Sequence, residues 1–473
     1  MNRAKHALMS FMRSSPLRGE DGRVAPRSVL VLVVVLIGLV GIGAAAQKNK
    51  KQSANRDGPT RSTTIALTSD EQRLVVVNRE ANSVSIIRVK DANGNDVATK
   101  IVEIGVGEEP RCVAVHPTDQ VAYVTNGISG TVSVVDLVLN REVEQIKVGT
   151  EPRGCALTPD GSLLYVANHT QGTVSILVVS GVDPRNLTLD GSVTVGRNPT
   201  AIAITDKGPP NISDNTVFVT QIFAELDPNF VDPFGGEARD LGKRGVVHAF
   251  PAGNSNPPIT QIYLTALSDS GFTSNRTQFC PNLNTNPAGI HPADVTNPIF
   301  CPDPAATVAN ATITANPQGV FPNQLLSALI RGNRLYLPNI GAQPEPVERF
   351  DANVQALVHN VDTNTLAEVT AEHVNLNQQI DRETAAPPPS LDKTFGNDIV
   401  AIDANEAGDT FLIVSRGGNQ VLRATLDPAG QLNVLNAAGT GVDCRIQTGN
   451  LPSGVAMRRD GTRGYANTRP ISR

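Results

Sequence analysis

Apolar residues along most of this chain come in short runs of three to six, separated by Gly, Asn, Pro and Asp. Between Cys112 and Val148 the runs are Val113–Val115, Val121–Thr125, Thr131–Asp136 and Glu144–Val148, with Gly127, Gly130 and Asn140 in the breaks. Runs rich in Val, Ile, Tyr and Thr, bounded by such breakers, predict antiparallel strands in a meander. Apolar spacing of three and four, the mark of a helical repeat, is absent there.

The pattern recurs. VAYVTNGISGTVSVVD at residue 121 is followed by LLYVANHTQGTVSILVV at residue 163, a period of about 42 residues. A weaker copy, RLVVVNREANSVSIIRV, lies upstream. Four strands in a unit of that length predict the blade of a β-propeller. A lone blade cannot bury both faces, so several must pack around an axis. Units open near Thr64, Cys112, Cys155, Thr200, Gln324, Asp398 and Gly454. The expected fold is all-β, a β-propeller of the seven-blade type with four-stranded antiparallel blades. Six blades are complete and the seventh is truncated after Tyr465-Ala466-Asn467. Its second strand is expected to present an open edge, because the segment before Thr63 is too polar and Lys-rich to fill it.

Tyr123-Val124-Thr125-Asn126 matches the signature of the YVTN propeller repeats, with Tyr165-Val166-Ala167-Asn168 and Tyr465-Ala466-Asn467 as variants. A shared tail of Val-Gly, two residues and Pro recurs at Val106-Gly107 with Pro110, Val148-Gly149 with Pro152, and Val195-Gly196 with Pro199. The chain therefore resembles the YVTN (surface-layer and YncE-like) propellers over residues 65–208 and 399–467. That resemblance implies an interaction module of the cell envelope or periplasm. Some similar proteins continue into a di-haem cytochrome c peroxidase-like domain, which implies a c-type cytochrome or peroxidase as one partner. Related propellers resemble lactonases, although no catalytic acid and metal set is placed here by sequence.

The N-terminus changes the picture of compartment. Arg3, Lys5, Arg13, Arg18, Arg23 and Arg27 precede the apolar run Val29–Val40, then Ala44-Ala45-Ala46-Gln47. This order predicts a secretory signal with cleavage after Ala46, or an uncleaved anchor. Either places the remainder outside the cytoplasm, in the periplasm or at the cell surface. Residues 1–46 are thus read as signal or anchor, 47–62 as a polar linker, and 63–473 as propeller. Long insertions near 221–245, 265–323 and 370–397 are expected to carry specificity.

Net charge is −5, without a basic stripe interleaved with aromatics, which argues against nucleic acid. Cys-x-x-Cys-His, Gly-x-Ser-x-Gly, His-Glu-x-x-His and phosphate-loop motifs are absent, as is Trp. His116, His169, His248, His359 and His373 are scattered and expected to be structural. Arg111 and Arg153 each follow a Pro at the turn into an innermost strand, where two guanidinium groups suit a small anionic ligand or a partner's carboxylate. Asp227, Asp232, Glu237 and Asp240 form an acidic excursion of the kind that binds calcium, though at no standard spacing. Asp91-Ala-Asn-Gly-Asn-Asp96 reads first as a hairpin turn. Cys280 and Cys301, both in Phe-Cys-Pro, are expected to form a disulfide worth about 3 kcal/mol. Cys112 and Cys155 are expected as buried free thiols one residue out of register, and Cys444 is unassigned. The leading expectation is a non-catalytic exported binding module, with a haem-peroxidase partner domain or a lactonase-like hydrolase as alternatives.

Overall fold

The computed structural model describes residues 31–36, 60–208, 211–232, 235–237, 239–271, 273–274, 278–280, 299–301, 316–344, 354–381, 395–435 and 444–468. Within them the chain forms a β-propeller of small antiparallel sheets, each a blade. Blade one is built from Ile65–Leu67, Arg73–Asn78, Ser83–Lys90 and Asp96–Gly105. Blade two follows with Pro110–Val115, Val121–Asn126, Thr131–Asp136 and Arg141–Lys147. Blade three has Pro152–Leu157, Leu163–Asn168, Thr173–Val179 and Leu187–Thr194. Blade four uses Pro199–Ile204, Thr216–Gln221, Lys243–Pro251 and Thr260–Leu264. Blade five has Leu329–Arg331, Arg334–Ala342, Val354–Asp362 and Ala367–Glu368. Blade six has Ile399–Ala404, Thr410–Ser415 and Gln420–Leu426, with Arg445–Gln447 outermost. Gly454–Met457 and Arg463–Thr468 start blade seven. Innermost strands touch their neighbours in cyclic order, and Gly454–Met457 of blade seven packs on Ile65–Leu67 of blade one, closing the ring.

The repeated words of the sequence are packing instructions. Asn126 and Asn168 each end a second strand and donate from Nδ2 to two hydroxyls of the next strand. The partners are Thr131 and Ser133 in one blade, Thr173 and Ser175 in the other, at 2.7–3.0 Å. The glycines of the first two Val-Gly tails lie on those amides, whereas Gly196 of the third lies on His248. A Cβ on Gly107 would stand 2.6 Å from Asn126 Nδ2, and one on Gly149 2.4 Å from Asn168 Cγ. The tail of one blade is thereby seated on the second strand of the next. Tyr123 and Tyr165 are fully buried between blades. Tyr123 Oη donates to Pro184 O at 2.5 Å, and Gly253 N donates to Tyr165 Oη at 2.7 Å. Each bond reaches the loop between the third and fourth strands of the following blade. Valine, isoleucine and alanine fill the spaces between.

Two features correct the expectation at the N-terminus. The edge of Arg463–Thr468 is not open: Val31–Leu36 pairs with it antiparallel, Val31 opposite Thr468 and Leu36 opposite Arg463. Val31–Leu36, six residues of the apolar run, lie here as a third strand of blade seven. A β-edge is satisfied by any backbone of matching length, and a Val-rich run has the propensity to supply it. The polar segment before Thr63 also has a place. Thr60–Arg61 pairs with Ala203 and Ile204 of blade four's innermost strand. The chain then climbs the channel, with Ser62 N donating to Ile202 O at 2.8 Å and Val113 N to Thr63 O at 2.8 Å. Room for it is made by glycine: a Cβ on Gly154 would meet Thr200 O at 2.2 Å and Ser62 Oγ at 2.7 Å, and one on Gly454 would meet Thr64 Oγ1 at 2.0 Å.

The insertions near 221–245, 265–323 and 370–397 join second to third strands, or fourth strands to the next innermost strand. Strand alternation sends all of these to the face where innermost strands begin. Part of the third insertion is structural rather than free: Val374–Asn375 pairs with Leu357 and Val358, and Leu376 and Ile380 of helix Leu376–Asp381 are buried against blades five and six.

Candidate functional site

At the face where innermost strands begin, the chain turns into those of blades two, three and four through a left-handed residue followed by proline: Glu109 (φ 56°), Glu151 (φ 54°) and Asn198 (φ 47°). Arg111 and Arg153 come next, one per blade, and each turns back to the glutamate two residues earlier. Arg111 Nη2 donates to Glu109 Oε1 at 2.9 Å, and the same oxygen accepts Arg79 Nε of blade one at 3.0 Å. Arg153 donates through Nε (3.0 Å) and Nη2 (2.7 Å) to Glu151 Oε1, while Thr170 Oγ1 donates to Glu151 Oε2 at 2.5 Å. The sequence reading placed both arginines at this mouth and missed their partners, although Glu-Pro-Arg stands at 109–111 and again at 151–153.

Over blades one to three the mouth carries three guanidinium groups, of Arg79, Arg111 and Arg153, against two carboxylates, of Glu109 and Glu151. Burial pushes the Glu109 carboxyl up, but the Arg79 hydrogen bond and the Arg111 charge outweigh it, leaving the group below its ordinary value. Glu151 is likewise lowered: its burial is outweighed by Thr170 and Arg153. Arg111 is brought down by its own burial and then by the Arg79 charge. His169 completes the group from blade three. Its Nδ1 lies 3.2 Å from Pro199 O and its Nε2 3.3 Å from Asn198 Nδ2. Burial first, and the Arg153 charge second, lower its pKa, so the ring is neutral near pH 7.

A cavity of about 360 Å³ lies deeper, toward the opposite face, lined among others by Thr60, Glu71, Arg331, Asp403, Glu406 and Arg459. Three of its charges are spent on one another. Asp403 pairs with Arg61 at 2.9 Å and Arg331 at 3.2 Å, and accepts Met457 N at 2.8 Å. Burial raises the Asp403 carboxyl, yet the two guanidinium groups carry it below its ordinary value. Arg331 is further tied to Ala404 O at 2.7 Å and Asn405 O at 2.9 Å. This ion cluster locks the channel segment to blades five, six and seven.

The other residues singled out by sequence fall elsewhere. Asp227 faces Arg244 at 3.8 Å, Asp232 faces Arg239 at 3.1 Å and Glu237 faces Lys243 at 2.5 Å, while Asp240 is buried. Cations of the protein thus occupy three of the four carboxylates in the loop. Asp91 is a turn residue, accepting Asn93 N at 2.9 Å and Asn95 N at 2.8 Å. Cys280 and Cys301 lie on paired strands, Cys280 opposite Ile299 and Cys301 opposite Gln278, and their side chains are outside the described residues. Cys112 and Cys155 are buried free thiols. They are not kept apart by register, however: a bulge beside each lets the sulfurs approach to 2.8 Å across the joint between blades two and three. Among the described residues, no helix is long and apolar enough to cross a membrane.

Fold and mouth define a seven-bladed propeller with an arginine-rich channel entrance. A family described as lactonase, 7-bladed β-propeller, matches residues 44–141. That stretch holds Arg79, Glu109 and Arg111. Among solved structures, the chain is similar to one of hydrazine synthase from Kuenenia stuttgartiensis. The two are 16% identical with a TM-score of 0.53, covering 90% of this chain and 99% of that one. A periplasmic gluconolactonase of Pseudomonas aeruginosa is 13% identical with a TM-score of 0.48, covering 83% and 86%. A functionally unknown protein of Desulfotomaculum acetoxidans is 14% identical with a TM-score of 0.43, covering 87% and 90%. Similarities at this level establish the propeller fold. No curated protein matches the chain.

Proposed function

We infer that this propeller acts at its channel mouth as a lactonase-type hydrolase of a small, acid-bearing sugar lactone. The observation that carries the reading is that the lactonase-matched stretch supplies Arg79, Glu109 and Arg111 to the mouth that Arg153 and His169 complete. In this reading one guanidinium group holds the substrate's carboxylate or phosphate and another faces the ring carbonyl. Water adds to the carbonyl carbon, and the π pair moves onto an oxygen that the guanidinium stabilises. Collapse of the tetrahedral intermediate breaks the ring C–O bond, and the departing alkoxide takes up the proton lost by water. Neutral His169 is the group suited to carry that proton, because its pKa lies below the working pH. The product is the open-chain hydroxy acid.

The test is proton release from a panel of aldonolactones with and without an anionic substituent, measured in weakly buffered solution. Hydrolysis above the spontaneous rate, lost in the Arg111→Ala/Arg153→Ala double variant at unchanged melting temperature, is the expected result. A spontaneous rate in the wild type overturns the reading.

One observation favours a second reading, a non-catalytic binding module: each mouth arginine already has a carboxylate, and all three insertions rise on that same face. An anionic ligand or a partner's acidic segment would then exchange with Glu109 and Glu151. The Tyr-Val-Thr-Asn unit keeps the YVTN type as our reading of the repeat. The basic stretch and apolar run before Gln47 support export. Cleavage after Ala46, or retention in a membrane, withdraws Val31–Leu36 from blade seven, so sequencing the N-terminus of the mature protein decides which use the segment serves.

A further inference from the structure

Blade five departs from the regular pattern at its outer edge. Its fourth strand is split into Ala367–Glu368 and Val374–Asn375, both paired to Val354–Asp362, with a single 3₁₀ turn, Thr370–Glu372, between them. The detour sets Glu368 and His373 beside His359 of the third strand. A ligand atom from each of the three lies within 4.8 Å of the others. The two imidazole rings stand 4.3 Å apart, centroid to centroid. His373 Nε2 is 3.4 Å from Glu368 Oε1, is buried, and has no hydrogen-bond partner, its side chain being 5% exposed. Blade four contributes the far wall: Thr265 donates to Glu368 through its N (2.7 Å) and Oγ1 (2.9 Å), and its carbonyl lies 3.1 Å from His359 Nε2.

We propose that His359, Glu368 and His373 form a structural zinc-class metal site that clamps the outer edge of blade five to blade four.

Two imidazoles and one carboxylate are a donor set of borderline softness, suited to zinc in tetrahedral geometry. Bonds of about 2.0–2.1 Å place such ligands about 3.3 Å apart, so the three atoms need only draw together. A neutral imidazole has one lone pair to offer, and the unpartnered His373 Nε2 already turns toward Glu368. Loading asks one rearrangement of His359, whose Nε2–H now donates to Thr265 O. The proton shifts to Nδ1, which faces the Asn339 amide at 2.9 Å. Asn339 Oδ1 is buried without a partner, and turning the amide lets that oxygen accept the Nδ1–H in exchange for the present bond from Asn339 Nδ2 to Leu337 O. Thr265 O, freed of its hydrogen, is then positioned as a fourth oxygen donor. The site lies on the rim, apart from the mouth, and it sits where the long insertion at 265–323 leaves blade four. Its loading would fix the root of that insertion.

The full chain, stripped with chelator and dialysed, is titrated with cobalt(II) and then with zinc. The expected result is one cobalt per chain with the intense visible bands of a tetrahedral site, displaced by zinc, and a melting temperature raised by zinc. His373→Ala, which removes one of the two imidazole ligands, is expected to weaken binding at least 100-fold while keeping the circular dichroism of the propeller. Glu368→Gln, which keeps shape, is expected to weaken it in the same direction. Absence of tetrahedral bands in folded wild type overturns the proposal. So does binding that is unchanged in a folded His373→Ala/Glu368→Gln double variant, because the metal then lies elsewhere.

Discussion

Two sets of arginine–carboxylate contacts, at the mouth and inside the channel, are built from the same chemistry by opposite routes. At the mouth, Arg111 meets Glu109 and Arg153 meets Glu151, each pair separated by one proline and renewed in successive blades. Inside, Asp403 of blade six meets Arg331 of blade five and Arg61 of the segment that precedes blade one. The mouth pairs are partly exposed, with side chains 20–27% accessible, whereas Asp403 and Arg61 are 9% and 11% accessible. Solvent screens the first set and spares the second. Mouth pairs therefore tune a surface, and the interior cluster holds the ring together.

The largest expected effect comes from Asp403→Ala, which strands two buried guanidinium groups; the loss is about 3–5 kcal/mol, seen as a lowered denaturation midpoint. An effect no larger than that of a mouth variant would collapse the contrast. Acid should weaken the interior cluster next. Asp403 is depressed in the folded state, so its contribution is complete above the unfolded value near 4 and is lost as pH falls through the lower folded value. His248 acts in a different window. Both its ring nitrogens are buried without partners and burial lowers its pKa to about 4. Between about 6.5 and 4 the unfolded chain takes up a proton that the folded one refuses, so stability falls as pH falls through that range. Melting temperatures across pH should show both windows in the wild type, and His248→Gln should make the upper one shallower, the other buried histidines keeping the remainder.

A smaller effect distinguishes blade joints. Tyr123→Phe removes a bond to Pro184 O and should cost about 1 kcal/mol. Tyr465→Phe should be near neutral, because Tyr465 Oη is buried with no partner. Equal losses in chemical denaturation would mean that the joint at blade seven is made like the others. Smallest in stability is the Arg111→Ala/Arg153→Ala pair, under about 1 kcal/mol, with its large effect confined to lactone turnover or anion binding.

Much of the fold was legible because a blade is a local object. The Asn126 amide bonds hydroxyls five and seven residues away, and the Val-Gly tail recurs in phase with the asparagine it packs on. The mouth was legible only in part: Arg111 and Arg153 stood out after their prolines, while Glu109 and Glu151, one proline away, did not. Less local features were not. His359 and His373 read as scattered because fourteen positions and a split strand separate them, and Thr265 reaches them only from another blade. Cys112 and Cys155 looked out of register because a β-bulge beside each cannot be counted from spacing.

Chain ends show the division most plainly. Sequence by itself determined the blade, its four-strand period, the Gly-on-Asn seat and the charged turn at the mouth, all of which are satisfied within one or two units. Only the tertiary structure decided that Val31–Leu36 lines the edge of blade seven, that Thr60–Thr64 climbs the channel, and that Arg61 finds Asp403. A ring must bring its first and last segments together. Which apolar or polar stretch is drawn in depends on the unpaired edge and the buried charge awaiting it, and both exist only once the other blades have closed.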